Sequence, residues 1–107
     1  MEEKYVIKAL TALAQANRLH IFRLLVVKGR AGLTPAELAK ELGTPANTLS
    51  FHLKELMQAD LISQERSGRH LIYRAQYDRM NAVISYLTRN CCEGEVCQSV
   101  EAVQCNT

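Results

Sequence analysis

The residues best suited to chemistry in this 107-residue chain are its four cysteines, all of which follow position 90. Cys91 and Cys92 are adjacent, Cys97 follows after four intervening residues, and Cys105 is the third residue from the end. Thiolate sulfur prefers soft acceptors such as Cu(I), zinc and cluster iron, and trivalent arsenic and antimony share that softness. Three thiolates in so short a segment can converge on one soft ion.

Zinc fits this donor set less well than a pyramidal ion. Zinc-binding cysteines are usually separated by about two to four residues and are often joined by histidine, whereas residues 91–107 contain an adjacent pair and no histidine. The donors therefore favour As(III) or Sb(III) at Cys91, Cys92 and Cys97, with Cys105 as an extra or substitute ligand. A thiol redox switch is one alternative, although nearby glutamates oppose an activated thiolate. An incidental segment that binds nothing is another.

No catalytic motif accompanies the cysteines. The sequence has only two aspartates, and it lacks a glycine-rich phosphate loop, an H-E-x-x-H pair and a C-x-x-C pair. We therefore predict a binding protein that is not an enzyme and uses no organic cofactor.

Charge is distributed unevenly along the chain. Residues 1–90 hold all 13 Lys and Arg but only 8 of the 11 Asp and Glu, a balance of +5, and the other three glutamates lie in residues 91–107. A basic body favours nucleic acid as a partner. No apolar run approaches the ~20 residues of a membrane helix, and the first ten residues lack the apolar core of an export signal. The sequence thus predicts a cytoplasmic protein without membrane contact, whose cysteines stay reduced.

The apolar spacing predicts a mainly α-helical domain over residues 1–90, followed by a cysteine-containing segment over residues 91–107. Helices are expected over residues 3–15, 18–28, 35–42, 45–59 and 77–89. Asn17 and Thr44 are predicted caps, and Thr34-Pro35-Ala36-Glu37 is a capping box. Two strands flank an expected turn at Ser67-Gly68. The predicted core-facing positions are Val6, Leu10, Leu13, Ala14, Leu19, Phe22, Leu25, Val26, Leu38, Ala39, Leu42, Leu49, Leu53, Leu56, Met57, Met80, Val83, Ile84 and Leu87.

Two helices joined by a short turn and followed by a β-hairpin wing constitute a winged helix-turn-helix. Small polar side chains on the outer face of the 45–58 helix suit base edges in the major groove. Arginines in the hairpin, which also carries His70 and Arg74, suit phosphates or the minor groove. The predicted DNA contacts are Asn47, Thr48, Ser50, Phe51, His52, Lys54, Arg66 and Arg69.

Two of these positions have an alternative role. Phe51 either touches a thymine methyl group or packs against the 35–42 helix, and packing is favoured because aromatic side chains are more often buried than exposed. His52 lies beside Leu49 and Leu53, so a hydrogen-bonded structural role is favoured over a phosphate contact.

Several segments resemble the ArsR/SmtB family of homodimeric winged-helix repressors. They are ELAKELGTPANTLSFHLKELMQADLI, ALTALAQANRLHIFRLL, SGRHLIYRA and RMNAVISYLTRNCC. The resemblance as a whole extends over about residues 3–92. The resemblance implies a homodimer built on the first and last helices, bound to a double-stranded operator with two-fold symmetry and released when an ion binds. It places the recognition helices about one DNA turn apart. The predicted dimer-interface residues are Leu10, Leu13, Val83, Ile84 and Leu87.

Two common ligand sites of that family are absent from the sequence. The 35–42 helix has no C-x-C pair, and the last helix has Asp78 but no histidine follows position 70. The remaining pattern is similar to a subgroup of arsenic-responsive repressors with an adjacent cysteine pair after the last helix and a third cysteine shortly afterwards, as at Cys91, Cys92 and Cys97. We therefore predict a repressor induced by arsenite or antimonite. The rival functions are a repressor responding to thiol oxidation or reactive sulfur, and a metalloid carrier or protein-interaction module.

Overall fold

Five helices and one β-hairpin form the fold over residues 1–89, the part of the chain that the computed structural model describes. The elements in order are α1 (Glu3–Leu13), α2 (Ala16–Lys28), a 3₁₀ turn (Gly29–Ala31), α3 (Pro35–Leu42), α4 (Ala46–Gln58), β1 (Ile62–Ser67), β2 (His70–Ala75) and α5 (Tyr77–Thr88). This order confirms the predicted mainly helical architecture with a hairpin. The four cysteines and the predicted boundary after residue 90 lie outside the described residues.

The capping box at the start of α3 forms as the sequence predicts. The backbone N–H of Glu37 donates to Thr34 Oγ1 at 3.2 Å, and the backbone N–H of Thr34 donates to Glu37 Oε1 at 2.9 Å. These bonds favour the charged carboxylate, so the pKa of Glu37 lies below its usual value. The helix ends at Gly43, whose φ of 63° is the left-handed conformation that glycine adopts without strain.

The other two predicted caps are wrong. Gln15 caps α2 in place of Asn17, because its side chain accepts a hydrogen bond from the backbone N–H of Arg18 at 2.9 Å. Thr44 does not cap α4, which begins after Pro45 without a side-chain cap. The Thr44 hydroxyl instead donates to the Leu42 carbonyl at 3.5 Å, within the turn that ends α3.

The hydrophobic core lies between the helices and the base of the hairpin. Its most fully buried side chains are Val6, Ile21, Leu25, Leu38, Leu49, Leu56 and Leu61. The inner face of α1 differs from the prediction, because Ala9 and Ala12 are buried beside Val6 while Leu10 is exposed. Alanine lets α1 approach α2 and α4 closely, so the small side chains rather than the leucine define the packed face.

Similar corrections apply to α2 and α5. Ile21 is buried in α2, whereas Leu19 points to the surface. In α5 only Val83 is buried, and it packs in the core of the single chain. We therefore remove Val83 from the predicted dimer interface, because its surface is already covered within one subunit.

The hairpin is an antiparallel pair in the register from Ile62↔Ala75 to Ser67↔His70. The turn residues are Gly68 and Arg69, one position later than the sequence suggested, since Ser67 still pairs within the ladder. Gly68 has a φ of 62°, a conformation that two-residue hairpin turns commonly require. The strands thus carry an arginine to the tip of the wing.

Candidate nucleic-acid interface

Helix α4 separates an apolar inner face from a polar outer face. Leu49, Leu53 and Leu56 are buried in the core, and this stripe fixes which side of the helix points outward. α3 packs against α4 across the Gly43 turn, as in a helix-turn-helix. The exposed side chains on α4 that the sequence assigned to DNA are Asn47, Thr48, Ser50, Phe51 and Lys54.

The amino-terminal end of α4 is suited to an anion. No side-chain cap and no acidic residue occupies its first turn, although Asn47 Oδ1 accepts a hydrogen bond from the backbone N–H of Thr48 at 2.9 Å. The first N–H groups of a helix lack helical partners and carry partial positive charge. A DNA phosphate supplies the acceptor and the negative charge that such a terminus favours.

Phe51 is 55% exposed, so the prediction that it packs against α3 is wrong. Its ring stands edge-on to the His52 ring, with centroids 5.5 Å apart. An exposed aromatic ring among small polar side chains presents apolar surface where a thymine methyl group would lie in the major groove.

His52 occupies the opposite environment. It is only 6% exposed, and its Nδ1 lies 3.4 Å from a terminal nitrogen of Arg18. Burial lowers the pKa of His52, the Arg18 charge lowers it further, and Glu55 acts in the opposite direction. This placement favours the structural role over the phosphate contact.

The wing presents two arginines to solvent. Arg66 and Arg69 are exposed, and neither has a side-chain hydrogen bond or ion pair to another residue within 1–89. Arg69 and His70 border a shallow depression with residues 34–37, so the wing tip lies beside the start of α3. The guanidinium groups are therefore available to an external anion.

Arg74 has a different role from the arginines at the tip. Its Nη1 donates to Glu65 Oε1 at 2.7 Å across the hairpin, and its Nε donates to the Arg30 carbonyl at 2.6 Å. Arg74 thus ties the wing to the 3₁₀ turn. The sequence analysis placed Arg74 with the other basic residues of the wing. It could not predict the ion pair with Glu65, because that pair depends on the strand register, which only the structure shows.

The predicted dimer face spans α1 and α5. Leu10 and Leu87 are exposed, whereas Leu13 and Ile84 are half-buried. Tyr5 and Ile7 of α1 are also exposed, although the sequence analysis did not name them. The alanines at positions 9 and 12 are spaced one helical turn apart on the buried side of α1. This spacing is the signal that would have predicted the inner face correctly.

The predicted ion ligands lie outside residues 1–89. Within the described residues no group of three or more His, Cys, Asp or Glu side chains is arranged to hold a metal ion. The assignment of Cys91, Cys92, Cys97 and Cys105 therefore stays a prediction. In the same part of the chain, no helix is both long and apolar enough to cross a bilayer.

Comparison with known proteins supports the predicted family. A sequence profile described as a helix-turn-helix domain matches residues 13–65. The transcriptional regulator KmtR of Mycobacterium tuberculosis is 28% identical over 79 residues, which are 74% of this chain and 58% of KmtR. An ArsR-like transcriptional regulator from Rhodococcus sp. RHA1 superposes with a TM-score of 0.75 at 25% identity, covering 94% of this chain and 90% of the other.

A homodimeric winged helix-turn-helix DNA-binding domain from Mycobacterium bovis superposes with a TM-score of 0.65 at 26% identity, covering 86% of this chain and 85% of that one. These comparisons support the predicted family, because the chain shares a helix-turn-helix domain and a winged-helix fold with ArsR-family transcriptional regulators. The predicted winged helix-turn-helix is thereby confirmed, and so is the prediction that the chain is not an enzyme, since ArsR-family proteins are regulators. The arsenic-responsive subgroup is a finer assignment that these comparisons do not test.

Proposed function

We propose that this ArsR-family chain is a homodimeric repressor that binds a two-fold symmetric DNA operator and leaves it when As(III) or Sb(III) binds its cysteines. The DNA-binding part rests on a candidate surface that is defined by three exposed features. These are the polar face of α4, its amino terminus without a side-chain cap, and two wing arginines without partners within residues 1–89.

Different parts of this surface make different kinds of DNA contact. Asn47, Thr48, Ser50 and Phe51 are exposed near the start of α4, where a helix lying in the major groove presents its side chains to base edges. Arg66 and Arg69 carry delocalised charges that match phosphate oxygens. Base contacts then supply sequence preference, and phosphate contacts supply most of the affinity and its dependence on salt.

Dimerisation brings two such surfaces to one operator. Large apolar side chains on α1 and α5 remain exposed although the chain buries a hydrophobic core of its own. They are Tyr5, Ile7 and Leu10 on α1 and Leu87 on α5. The guanidinium of Arg79 on α5 lies 5.6 Å from the Tyr5 ring, so α1 and α5 approach each other at Tyr5. The exposed apolar residues of these two helices are the proposed dimer face. A second copy of the chain that covers this face would give the two-fold symmetry the operator is proposed to have.

The donor set in residues 91–107 suits a trivalent metalloid. Cys91, Cys92 and Cys97 supply three sulfurs, which is the number a pyramidal ion takes. Each As–S bond forms as one hydroxide of arsenite takes the thiol proton and leaves as water. Three thiols therefore release three waters without any change of oxidation state, and the binding needs no oxidant.

The experiment uses the full chain under reducing conditions. Operator duplexes are selected from a random library, and arsenite is then titrated while DNA binding and free thiols are followed together. We expect release of the duplex as three thiols per subunit become protected. Release by an oxidant, reversed by reductant and without bound arsenic, would establish the redox repressor instead. Arsenite binding without preference for any duplex would establish the carrier.

A further inference from the structure

Arg18, in the first turn of α2, contacts two other helices. Its Nε donates to the Ala12 carbonyl near the end of α1 at 2.7 Å, and its Nη1 lies 3.4 Å from Nδ1 of His52 on α4. The backbone N–H of Arg18 is itself held by the Gln15 cap. One guanidinium therefore joins the last turn of α1 to the middle of α4.

The contact with His52 defines the state of the imidazole. Arginine has donors and no acceptor, so Nδ1 must accept and the ring proton must lie on Nε2. Burial and the Arg18 charge both favour this neutral ring. His52 is also the one buried polar side chain of residues 1–89. Its imidazole is therefore the group on the inner face of α4 that can form a directional hydrogen bond, and Arg18 is the residue that contacts it.

The leucine stripe of α4 determines which side of the helix faces inward, but it leaves small rotations about the helix axis less constrained than a directional bond does. Leu49, Leu53 and Leu56 pack by hydrophobic contact, which is non-directional. A hydrogen bond weakens steeply when its angle changes. Phe51 is adjacent to His52, and Thr48 lies one helical turn before it, so a rotation of α4 about its axis displaces both from their places on the outer face.

We infer that Arg18 is a positioning residue, which fixes the rotation of α4 relative to α1 through His52 and thereby sets where the outer face of α4 meets base edges. The inference rests on the proposed DNA-binding function. It adds a residue that does not touch DNA but determines sequence preference. Because α1 belongs to the proposed dimer face, the same link sets α4 relative to the partner subunit.

The test compares Arg18→Met with Arg23→Met, which removes the same charge from an exposed position on α2. Affinity is measured for a duplex selected by the wild type and for an unrelated duplex of equal length. We expect Arg18→Met to lower the ratio of specific to non-specific affinity by about tenfold for each base pair that α4 no longer recognises. Arg23→Met keeps the wild-type ratio.

Conservative variants separate positioning from general loss of structure. Arg18→Lys keeps the charge but lacks the planar guanidinium that can donate to two acceptors at once. It should therefore lower the ratio of specific to non-specific affinity as Arg18→Met does. His52→Gln retains an acceptor and should keep most of the ratio, whereas His52→Leu should not. Nitrogen NMR should show Nδ1 of His52 as the acceptor in the wild type and a changed Nδ1 signal in Arg18→Lys. If Arg18→Met does not fold, the Arg18→Lys variant provides the test.

The outcomes are distinct. A wild-type protein that prefers no duplex overturns the proposed function itself. A wild type with a preference that Arg18→Lys and Arg18→Met both retain overturns only the positioning role. An equal fall of specific and non-specific affinity with a flatter salt dependence would also overturn it, because that result would mean that Arg18 contacts phosphate directly.

Discussion

Leu33 and Tyr73 exchange two backbone hydrogen bonds, with N-to-O distances of 3.0 and 2.8 Å, and so attach the segment before α3 to the second strand of the wing. The preceding Gly32 has a φ of 66°, and a Cβ added there would lie 2.6 Å from Ile72 Cγ2 and 2.6 Å from the Tyr73 carbonyl oxygen. The base of the wing is therefore held against the helical body by backbone contacts that leave no room for a side chain.

The first prediction concerns this close approach. Gly32→Ala should destabilise the fold more than Gly43→Ala, since both glycines have positive φ but a Cβ at Gly43 meets nothing within 4 Å. Gly43, with ψ of 31°, has the left-handed helical conformation, which costs about 1–2 kcal/mol for a residue with a Cβ. Gly32, with ψ of −175°, has a conformation that is essentially restricted to glycine, so its backbone cost is at least as large. Overpacking adds about 1–3 kcal/mol at Gly32 alone. Urea unfolding of the two variants measures the difference, and equal midpoints would show that the wing base shifts freely.

The second prediction concerns the wing tip. Arg69→Ala should weaken DNA binding across all sequences and reduce the salt slope by about one unit for each phosphate that a subunit no longer binds. Binding isotherms at several salt concentrations measure both quantities. The matched control is Arg23→Ala, which removes an exposed charge from α2. If Arg69→Ala changes neither affinity nor slope, the wing does not contact DNA.

Local chemistry explains which parts of the fold the sequence could predict. The capping box of Thr34 and Glu37 involves residues three positions apart, so the sequence contains all of it. Thr44 precedes a proline in the same way, yet its hydroxyl bonds to the Leu42 carbonyl because the Gly43 turn brings that group closer. The hydrogen-bond partner of the Thr44 hydroxyl therefore depends on the geometry of the turn, which the residue types alone do not determine.

Packing explains what the sequence missed. Leu10 was assigned to the core by size, but Ala9 and Ala12 are the residues that let α1 meet its neighbours. Phe51 was expected to pack for the same reason and is exposed instead. In both cases a large apolar side chain remains on the outside, where a binding partner rather than the chain itself would cover it.

The third prediction tests the dimer face. Leu87→Asp should weaken the dimer by several kcal/mol, because an unpaired charge would be buried between subunits. Leu87 is 58% exposed in the single chain, so the subunit fold should tolerate the change. Ile84→Asp should act in the same direction. Sedimentation velocity measures the dimer, with Val27→Asp as control because Val27 is exposed on α2.

A tight dimer in both the Leu87→Asp and the Ile84→Asp variant would place the interface elsewhere. Loss of the dimer in Val27→Asp alone would move the interface to the outer side of α2.

The fourth prediction follows from the lowered pKa of His52. Its causes are burial first and Arg18 of α2 second, opposed by Glu55 of α4, and Lys8 of α1 borders the same surface depression as Arg18 and Glu55. Since the folded pKa lies below the ordinary 6.5, the unfolded chain takes up the proton first as pH falls. This contribution to stability is complete above about pH 6.5 and is lost as the pH falls through the folded pKa.

Unfolding free energies measured in urea from pH 7.5 to pH 5 check this sign. His52→Gln has no proton to take up and still offers Arg18 an acceptor, so its stability should fall less over that interval. A wild-type protein that loses no more stability than His52→Gln would show that His52 titrates alike in the folded and unfolded chain.

The fifth prediction concerns the inducer. Binding three sulfurs to one ion draws residues 91–97 together immediately after α5, which belongs to the proposed dimer face. If that changes how the subunits are set, ion and DNA must weaken each other's binding by the same factor. Cys92→Ser should therefore keep wild-type operator affinity in the absence of arsenite and fail to release the operator when arsenite is added.

The matched control for the cysteine substitutions is Cys105→Ser, which should release DNA at the wild-type arsenite concentration. Cys97→Ser should behave as Cys92→Ser does, because two sulfurs leave the third position of the ion unfilled. Fluorescence anisotropy of a labelled operator follows each variant through the same titration. Release of Cys92→Ser at the wild-type concentration would exclude the adjacent pair from sensing. Loss of response in Cys105→Ser together with a normal response in Cys97→Ser would instead make Cys105 the third ligand.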